Sequence, residues 1–475
     1  MILKNINHSC SYDTEKICTI FFPDERIKND ETQDISVITK KEKNIISVDA
    51  KVYGKAMTKS ATLEQDEDIA YAMSVLLFDV LSSLTGFKPP WGILFGVRPA
   101  KLMHRYANEL GEENARNLFI DRFLASPNKA NLALEVMNHE NRVISLSQTN
   151  SFSLYISIPF CPTRCNYCSF VSHSIERTQK LVNPYVELLC KELEYTSKIA
   201  KDLNLRLETI YWGGGTPTTL SAEQLSKILT VINDCFVLND LREYTVEAGR
   251  PDTITEQKLF ALKKFGVDRI SINPQTFNDN VLVEIGRRHT AQMTVDSFLL
   301  ARECGFDNIN MDLIAGLPCD TLDSFRNSVD SAISLGADSV TIHTLAKKSA
   351  SYIVTDDKEY DLSDRLLTSS MVDYSYERLK SELYHPYYMY RQSKSLGNLE
   401  NVGWAQDGKE CLYNVFMMDE THSVFAVGAG AVTRLINQNT GYIERIYNYK
   451  YPYEYIDHFD EVLKRKDGII SFYQQ

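Results

Sequence analysis

Between residue 152 and about residue 350, short hydrophobic runs alternate with longer segments whose hydrophobic residues recur at helical spacing. Each run precedes a helical segment, and the predicted strands cover residues 154–158, 208–212, 244–247, 268–272, 308–314 and 339–344. Ser221, followed by Gln224 three residues later, predicts a capping box at the start of the second helix. Strands that are joined through crossover helices pair in parallel. Because a closed barrel requires eight such units, these units predict an α/β fold with an open, partial (β/α)6 barrel.

The chain on either side of this region lacks the alternation. The first 150 residues combine β-rich runs with predicted helices, the runs at 17–22 and 34–38 and the helices at 69–84, 100–110 and 113–124. The residues beyond 350 are rich in tyrosine and include a predicted helix at 365–382. We therefore expect three domains, namely an N-terminal α+β accessory domain at 1–150, the partial barrel at 151–350, and a C-terminal substrate-side or accessory extension at 351–475.

Composition and charge narrow the class of protein. The 475 residues carry a net charge of −12 and 44% of them are hydrophobic, which is typical of a globular protein. The negative charge argues against binding nucleic acid through bulk electrostatics. No apolar run approaches the roughly 18 residues that a membrane span needs, and the first residues lack the apolar segment of a signal peptide. We therefore expect a cytoplasmic protein whose ten cysteines are reduced.

A cluster of three cysteines follows the first predicted strand, with the spacing Cys161-x-x-x-Cys165-x-x-Cys168. A structural zinc site normally uses four protein ligands, and no second cysteine pair accompanies this cluster. A cubane iron–sulfur cluster uses one thiolate per iron, so three cysteines leave the fourth iron open to an exogenous ligand. Such an open position is typical of a catalytic metal centre. The alternative interpretation is three ordinary reduced thiols.

Polar and glycine residues mark the ends of the other predicted strands. The segment Trp212-Gly213-Gly214-Gly215-Thr216-Pro217 follows the second strand, where glycines permit a ligand to approach the backbone closely. It matches neither a dinucleotide-binding fingerprint nor a P-loop. Polar side chains follow later strands, at Glu247, Gln275, Arg287 and Asp312. Because ligands of β/α barrels bind at the carboxyl ends of the strands, these residues predict a site for a ligand that carries an amine, a carboxylate and a ribose.

Together these motifs resemble radical S-adenosylmethionine (SAM) enzymes, and specifically the oxygen-independent coproporphyrinogen III oxidase (HemN-like) family. The resemblance rests on the cysteine loop, on Gly-Gly-Gly-Thr-Pro, on the Gln275 segment at 268–277 and on Asp312-Leu313-Ile314-Ala315-Gly316-Leu317-Pro318. The segments at 91–99 and 397–403 are similar to the HemZ branch of that family.

The resemblance implies two cofactors and a set of residues that bind them. Cys161, Cys165 and Cys168 would ligate a [4Fe–4S] cluster, with SAM chelating the fourth iron. The residues that would bind SAM are Tyr155, Tyr167, Gly214, Gly215, Thr216, Glu247, Gln275, Arg287, Asp312 and Ala346. Of these, Glu247 would hold the ribose hydroxyls. The resemblance assigns no catalytic residue beyond the cluster and SAM.

The reaction that the resemblance implies is the oxidative decarboxylation of two propionates of coproporphyrinogen III to vinyl groups, which gives protoporphyrinogen IX in anaerobic haem biosynthesis. The enzyme would need a low-potential electron donor such as ferredoxin or flavodoxin. Carboxylates of a porphyrinogen call for cations, and the candidates are Arg287, Arg288, Lys347, Lys348, Arg391 and Arg434.

The sequence departs from the oxidase pattern at three positions. Phe170 stands where oxidases carry a fourth cysteine, Ser157 replaces a common histidine, and the segment from Glu247 to Pro251 is one residue longer than usual. The same phenylalanine occurs in the HemW-like branch, so the alternative function is a haem-binding chaperone that binds SAM and a cluster without decarboxylase activity. Its haem ligand would be His343, His385 or His422. The N-terminal region, which the chaperone branch lacks, favours the oxidase.

Overall fold

The computed structural model describes residues 1–23, 25–27, 33–168, 172–346, 362–392 and 394–474. The chain divides into two compact units. The first contains the described residues of Met1–Leu134, Lys358–Ser369 and Arg391–Glu400. The second contains those of Glu135–Asp357, Ser370–Tyr390 and Asn401–Gln475. The division into three domains at 150 and 350 stays a prediction, and Phe170, Lys347 and Lys348 lie outside the described residues.

The first unit is built on a four-stranded sheet in the order β1-β2-β3-β4. β1 pairs with β2 in parallel, and β2, β3 and β4 pair antiparallel. The strands are β1 (Ile2–Ile6), β2 (Ile35–Glu42), β3 (Ile45–Val52) and β4 (Lys55–Thr62). The first five helices of the chain are α1 (Ser11–Phe21), α2 (Ile69–Thr85), α3 (Pro99–Leu110), α4 (Glu112–Asp121) and α5 (Pro127–Ile144).

One predicted strand of this unit is a helix. Residues 17–22 read as a β-rich run, yet residues 17–21 form the second half of α1. Ile17, Cys18 and Phe21 are buried, and this i, i+1, i+4 spacing places them on one face of a helix. They pack into a core with α2 and the inner face of the sheet. Burial on that face therefore decided the local structure against β propensity.

The second unit is built on an eleven-stranded sheet in the order β13-β14-β12-β11-β10-β9-β8-β5-β15-β16-β17. Its strands are β5 (Ser151–Ile158), β8 (Arg206–Gly214), β9 (Glu243–Glu247), β10 (Arg269–Ser271), β11 (Ile309–Ala315), β12 (Ser339–Thr344), β13 (His385–Arg391), β14 (Glu400–Ala405), β15 (Ser423–Val427), β16 (Val432–Ile436) and β17 (Ile443–Tyr447). Two short strands, β6 (Phe160–Cys161) and β7 (His173–Ser174), form a separate parallel pair.

The six predicted strands are confirmed as β5 and β8–β12, which pair in parallel in chain order. β15 adds a further parallel strand beside β5. Among the described residues this sheet ends on β13 and β17, so the six β/α units form an open, partial barrel. The remaining helices are α6 (Ile175–Asp202), α7 (Ala222–Cys235), α8 (Glu256–Lys264), α9 (Asp279–Glu284), α10 (Ala291–Glu303), α11 (Leu322–Ser334), α12 (Leu362–Ser381), α13 (Leu412–Asp419), α14 (Pro452–Asp457) and α15 (Phe459–Tyr473).

The predicted capping box is present at the start of α7, where Ser221 and Gln224 bond reciprocally to each other's backbone. α6 begins at Ile175, earlier than the predicted residue 181. None of the helices in the described parts of the chain combines the length and apolar character needed to cross a membrane.

Polar side chains of the six parallel strands share one face of the sheet and bond across it. Asn310 donates to Ser271 (2.8 Å) and accepts from Thr341 (3.2 Å), while Ser153 and Thr209 bond to each other (2.7 Å). Because side chains alternate between the two faces of a strand, this network continues toward the carboxyl ends of the same strands. The residues predicted to bind a ligand lie at those ends.

Candidate functional site

The cysteine loop between β5 and α6 is held in place by backbone bonds on both sides. Cys161 lies in β6, which pairs with β7. The Cys168 N–H donates to the Cys165 carbonyl (3.1 Å), which closes a tight turn. Asn166 donates through its backbone N–H to the Ile285 carbonyl (3.0 Å) and through its side chain to the Glu284 carbonyl (2.8 Å). These bonds fasten the loop to the end of α9.

The three thiols fit an iron–sulfur cluster better than a single ion. Among the described residues they do not form a group of three ligand atoms within 4.8 Å of one another, the spacing that one ion would require. A cubane takes one thiolate per iron, which spreads its ligands. Burial raises the pKa of Cys161, and hydrogen bonds from Thr216 and Ser172 oppose that rise. The same hydroxyl donors would support a metal-bound thiolate.

The glycine segment after β8 lies directly against the first cysteine. Gly215 N–H donates to the Ile158 carbonyl (2.7 Å) and Thr216 N–H to the Phe160 carbonyl (2.7 Å). The Thr216 hydroxyl donates to Cys161 Sγ (3.4 Å). A Cβ on Gly215 would lie 2.6 Å from the Phe160 carbonyl oxygen and 3.0 Å from Cys161 Sγ. Only glycine fits here, and the backbone stays open to a ligand of the cluster.

Three tyrosines and Glu247 lie beside the glycine segment. The rings of Tyr155, Tyr211 and Tyr413 stack on one another, with centroids 4.5 Å apart for Tyr211 and Tyr413. Tyr211 donates its hydroxyl to Glu247 Oε1 (2.6 Å). Burial raises the pKa of Tyr155 and of Tyr211, so both phenols stay neutral donors. A Cβ on Gly213 would lie 3.2 Å from both Glu247 Oε1 and the Tyr155 hydroxyl, so these groups border the glycine cradle.

Gln275 combines a left-handed backbone conformation with a side-chain oxygen that accepts no hydrogen bond from the described residues. Its φ of 68° lies in the left-handed region, and its backbone bridges to β11, donating to the Asp312 carbonyl (2.9 Å) and accepting from Ile314 N–H (2.9 Å). Its side-chain oxygen is buried without a hydrogen-bond partner among the described residues. A buried acceptor left unpaired is costly unless a ligand completes it. This oxygen therefore fits a donor of SAM.

Asp312 is ionised and paired within the site. Burial alone would raise its pKa, but the hydrogen bond and charge of His343, with Asn310 and Thr341, lower it. Asn310 donates to Asp312 Oδ1 (2.7 Å), and His343 Nε2 lies 3.6 Å from Oδ2. The other ring nitrogen of His343 is 3.5 Å from the Tyr390 hydroxyl. The carboxylate is thus kept charged at the carboxyl end of β11.

Arg287 links the cysteine loop to the strand ends. One of its terminal nitrogens donates to the Tyr167 hydroxyl (3.0 Å), and the other donates to the carbonyls of Asn273 (2.7 Å) and Gly249 (3.3 Å). Ala346 follows β12 and is partly exposed. The predicted cysteines and SAM residues all lie in the second unit, within or after β5 and β8–β12. Arg287 differs from the expectation, because it lies between α9 and α10 and not directly after a strand.

Comparison with known proteins gives the family. The radical SAM superfamily matches residues 155–332. An oxygen-independent coproporphyrinogen-III oxidase-like protein, HemZ of Bacillus subtilis (strain 168), is 36% identical over 420 residues, which is 88% of this chain and 83% of that protein. The chain belongs to the HemN-like family of radical SAM proteins, in its HemZ branch.

Other members of the HemN-like family are also similar. The heme chaperone HemW of the same organism is 34% identical over 308 residues, which is 63% of this chain and 77% of that protein. The solved structure of coproporphyrinogen III oxidase (HemN) from Escherichia coli, a radical SAM enzyme, superposes with a TM-score of 0.53 at 21% identity, over 68% of this chain and 72% of that one. This likeness confirms the partial-barrel fold. The family uses a [4Fe–4S] cluster and SAM, and the spread thiols, the glycine cradle and the unpaired Gln275 oxygen fit both groups.

Most candidate cations for a substrate carboxylate have other partners. Arg391 donates to the Leu94 and Gly96 carbonyls (2.8 and 3.3 Å) within the first unit, so its guanidinium is structural. Arg288 is exposed and pairs with Glu176 (2.9 Å). Arg434 is buried, 3.7 Å from Glu420. Of these candidates, Arg287 is the one that bonds to the cysteine loop, through its contact with the Tyr167 hydroxyl.

The three candidate haem ligands differ in their surroundings. His422 is buried, and its ring nitrogens bond to Ser147 (3.0 Å) and Ser153 (2.8 Å). His385 lies between Asp407 (3.4 Å) and Glu410 (2.8 Å). Neither therefore offers a ring nitrogen without displacing a partner. His343 is the one of the three beside the predicted SAM residues.

Sequence reasoning missed three residues of this site. Tyr211 lies in β8 two residues before Gly213, so the two residues share one face of the strand. This spacing is a signal that could have placed Tyr211 in the site. Tyr413 gives no local signal, because it reaches the site from α13. Arg250 is buried beside Cys165, and its segment stood out in the sequence by its length.

Proposed function

We propose that this protein is an oxygen-independent coproporphyrinogen III oxidase that converts two propionates of its substrate to vinyl groups. The observation that carries the proposal is the direct contact of the glycine cradle with the cysteine loop, Thr216 Oγ1 to Cys161 Sγ at 3.4 Å. This contact supports the binding of SAM next to a cluster held by the cysteine loop. It occurs in a chain whose likeness to an oxidase-like protein extends over 88% of its length.

In this proposal Cys161, Cys165 and Cys168 hold the cluster, and the ten predicted residues hold SAM. When bound, these groups supply hydrogen-atom abstraction. Each propionate would lose one β-hydrogen atom, carbon dioxide and one further electron to give a vinyl group, and that electron would pass to a one-electron acceptor. The bound cofactors would also need one electron from a low-potential donor for each hydrogen atom that is abstracted. The chain itself provides binding, orientation and exclusion of water.

The residues of the site divide these tasks. Glu247 accepts from ribose hydroxyls, and its bond from Tyr211 fixes the direction of its carboxylate. Gln275 offers its unpaired oxygen to a donor of SAM. The stacked Tyr155, Tyr211 and Tyr413 form an apolar wall with neutral hydroxyls, which keeps water from the reacting carbon. Arg287 carries a buried positive charge that suits a carboxylate.

The extent of similarity supports an oxidase over a chaperone. The match to the oxidase-like HemZ covers 88% of the chain, so it must include most of the first 134 residues. The match to the chaperone HemW covers 63% and can omit those residues entirely. The structure of His385 and His422 further supports this choice, because both are already paired. A haem chaperone remains the alternative, favoured by the likeness to HemW.

An anaerobic turnover assay tests the proposal. Protein reconstituted with iron and sulfide is incubated with SAM, a strong reductant and coproporphyrinogen III, and the products are separated by chromatography. Formation of both 5′-deoxyadenosine and protoporphyrinogen is the expected result. SAM cleavage with an unchanged porphyrinogen would contradict the oxidase.

A haem titration of the same protein examines the alternative. A chaperone that uses His343 would bind haem with a Soret shift that His343→Ala removes. His422→Ala serves as the matched control, because that imidazole is buried among serines. Decarboxylation without such haem binding would exclude the alternative.

A further inference from the structure

Arg250 lies next to the cysteine loop, and all three of its guanidinium nitrogens form hydrogen bonds. Nε and one terminal nitrogen donate to the two carboxylate oxygens of Asp252, each at 3.0 Å. Both terminal nitrogens donate to the Thr163 hydroxyl, each at 3.1 Å. The side chain of Arg250 is 3% exposed and that of Asp252 is 16% exposed. The guanidinium is therefore fixed in place rather than solvated.

The same guanidinium reaches a cysteine of the loop. A terminal nitrogen of Arg250 lies 3.7 Å from Cys165 Sγ, within hydrogen-bonding distance for sulfur, and both groups are buried. Thr163, the residue whose hydroxyl accepts from Arg250, precedes Cys165 by two residues. Its hydroxyl also donates to the Gly286 carbonyl (3.3 Å). A terminal nitrogen of Arg250 also donates to the Thr163 carbonyl (3.3 Å), so Arg250 contacts both the backbone and a sulfur of the loop.

We propose that Arg250 is a positioning residue that raises the reduction potential of the cluster through its N–H···S bond and its charge at Cys165. This inference rests on the proposed ligation of the cluster by Cys165. Hydrogen bonds to the sulfurs and net charge near them set cluster potentials. Reduction adds one electron, and a buried cation stabilises the added negative charge more strongly than a solvated one. Asp252 opposes this effect, because its carboxylate lies on the far side of the same guanidinium.

Arg250 rather than Arg287 is the residue to change. Arg287 also interacts with Cys165, but it is a predicted SAM residue. Arg250 has no assigned role toward SAM, so its substitution separates cluster electrostatics from SAM binding. It also belongs to the lengthened segment between Glu247 and Pro251, where the chain departs from the usual spacing.

The test is a redox titration with dithionite as the one-electron reductant, followed by electron paramagnetic resonance on reconstituted protein without SAM. We expect Arg250→Met to shift the midpoint potential to more negative values than in the wild type. Arg250→Lys keeps the charge and should fall between the two. Asp252→Asn removes the opposing carboxylate and should shift the potential to more positive values.

The opposite signs separate electrostatics from loop loosening. Both Arg250→Met and Asp252→Asn break the same ion pair, so a purely structural role would shift both potentials in one direction or lower iron content in both. Either result, or a wild-type potential in both variants, overturns the proposal. If Arg250→Met takes up no cluster, the midpoint potential of Asp252→Asn alone tests the proposal. A potential in Asp252→Asn that is not more positive than in the wild type refutes the proposed role of Arg250. Wild-type protein without a cluster would instead refute the proposed function.

Discussion

The ionisation of Glu247 gives a pH-dependent signature of the SAM site. Burial raises the pKa of Glu247 from its ordinary 4.5 to about 7, and the Asp312 carboxylate adds to that rise, against the Tyr211 hydrogen bond and the charges of Arg269 and His343. At about 1.4 kcal/mol per pKa unit, the shift corresponds to roughly 3 kcal/mol disfavouring the carboxylate. Since the side chain is partly exposed, this figure is an upper bound.

Ribose hydroxyls donate to a carboxylate better than to a neutral acid, so SAM should bind the ionised form of Glu247 more tightly. The affinity for SAM should therefore be constant above about pH 7.5 and weaken as the pH falls through 7. The limiting slope is about tenfold per pH unit, because one proton must leave for each SAM bound. Equilibrium dialysis of labelled SAM with reconstituted protein from pH 6 to 8.5, at constant ionic strength, measures this dependence.

Two variants complete this experiment. Glu247→Gln cannot ionise and should bind SAM weakly with no pH break. Glu223→Gln, an exposed carboxylate of α7, should keep the break of the wild type. Wild-type affinity that stays flat from pH 6 to 8.5, or a break that persists in Glu247→Gln, would refute the role of Glu247.

Three further predictions concern the cluster, the glycine cradle and the first unit. Alanine in place of any one loop cysteine should abolish the cluster absorbance and SAM cleavage, whereas Cys190→Ala should keep both, and equal losses would contradict the assignment. Gly215→Ala should destabilise the protein by about 1–3 kcal/mol in urea unfolding and lower its iron content, because the added Cβ would lie 2.6 Å from the Phe160 carbonyl oxygen. Gly96→Ala, where a Cβ would meet open space, should change neither the stability nor the iron content. Glu400→Gln should lower the free energy of unfolding of the first unit by about 3–5 kcal/mol in the same assay, because it removes the negative charge of a buried ion pair with Lys129 (2.6 Å). An unchanged midpoint would contradict that.

The barrel strands and the cluster loop could be predicted because their signals are local. β5 and β8–β12 are hydrophobic runs bounded by turn residues, and side-chain alternation then sets which residues face inward. The cysteine spacing and the glycines act within a few residues of each other. α1 was mispredicted because its β-branched and aromatic residues carry strand propensity, while their burial at helical spacing depends on α2 and the sheet.

Contacts between residues distant in sequence could not be predicted in the same way. Tyr413 joins the tyrosine stack from α13, which precedes β15, the strand that pairs with β5. The segments at 91–99 and 397–403 were recognised by resemblance, but their structural reason appears only in the fold. Trp91 donates its indole N–H to Glu400 (2.6 Å) in the core of the first unit. A pair separated by so much chain leaves no pattern in either segment alone.

Ser157 illustrates how a departure from the family pattern is accommodated by a distant segment. Its hydroxyl donates to the Ala429 carbonyl (2.8 Å), and its own carbonyl accepts from the Tyr185 hydroxyl (2.7 Å). Gly428 approaches so closely that a Cβ there would lie 2.5 Å from the Ser157 carbonyl oxygen. A Cβ on Gly214 would lie 2.9 Å from the Ser157 hydroxyl. The Ser157 hydroxyl therefore contacts both Gly214 and the glycine segment at 428–430, so this departure and that distant segment belong to one local arrangement.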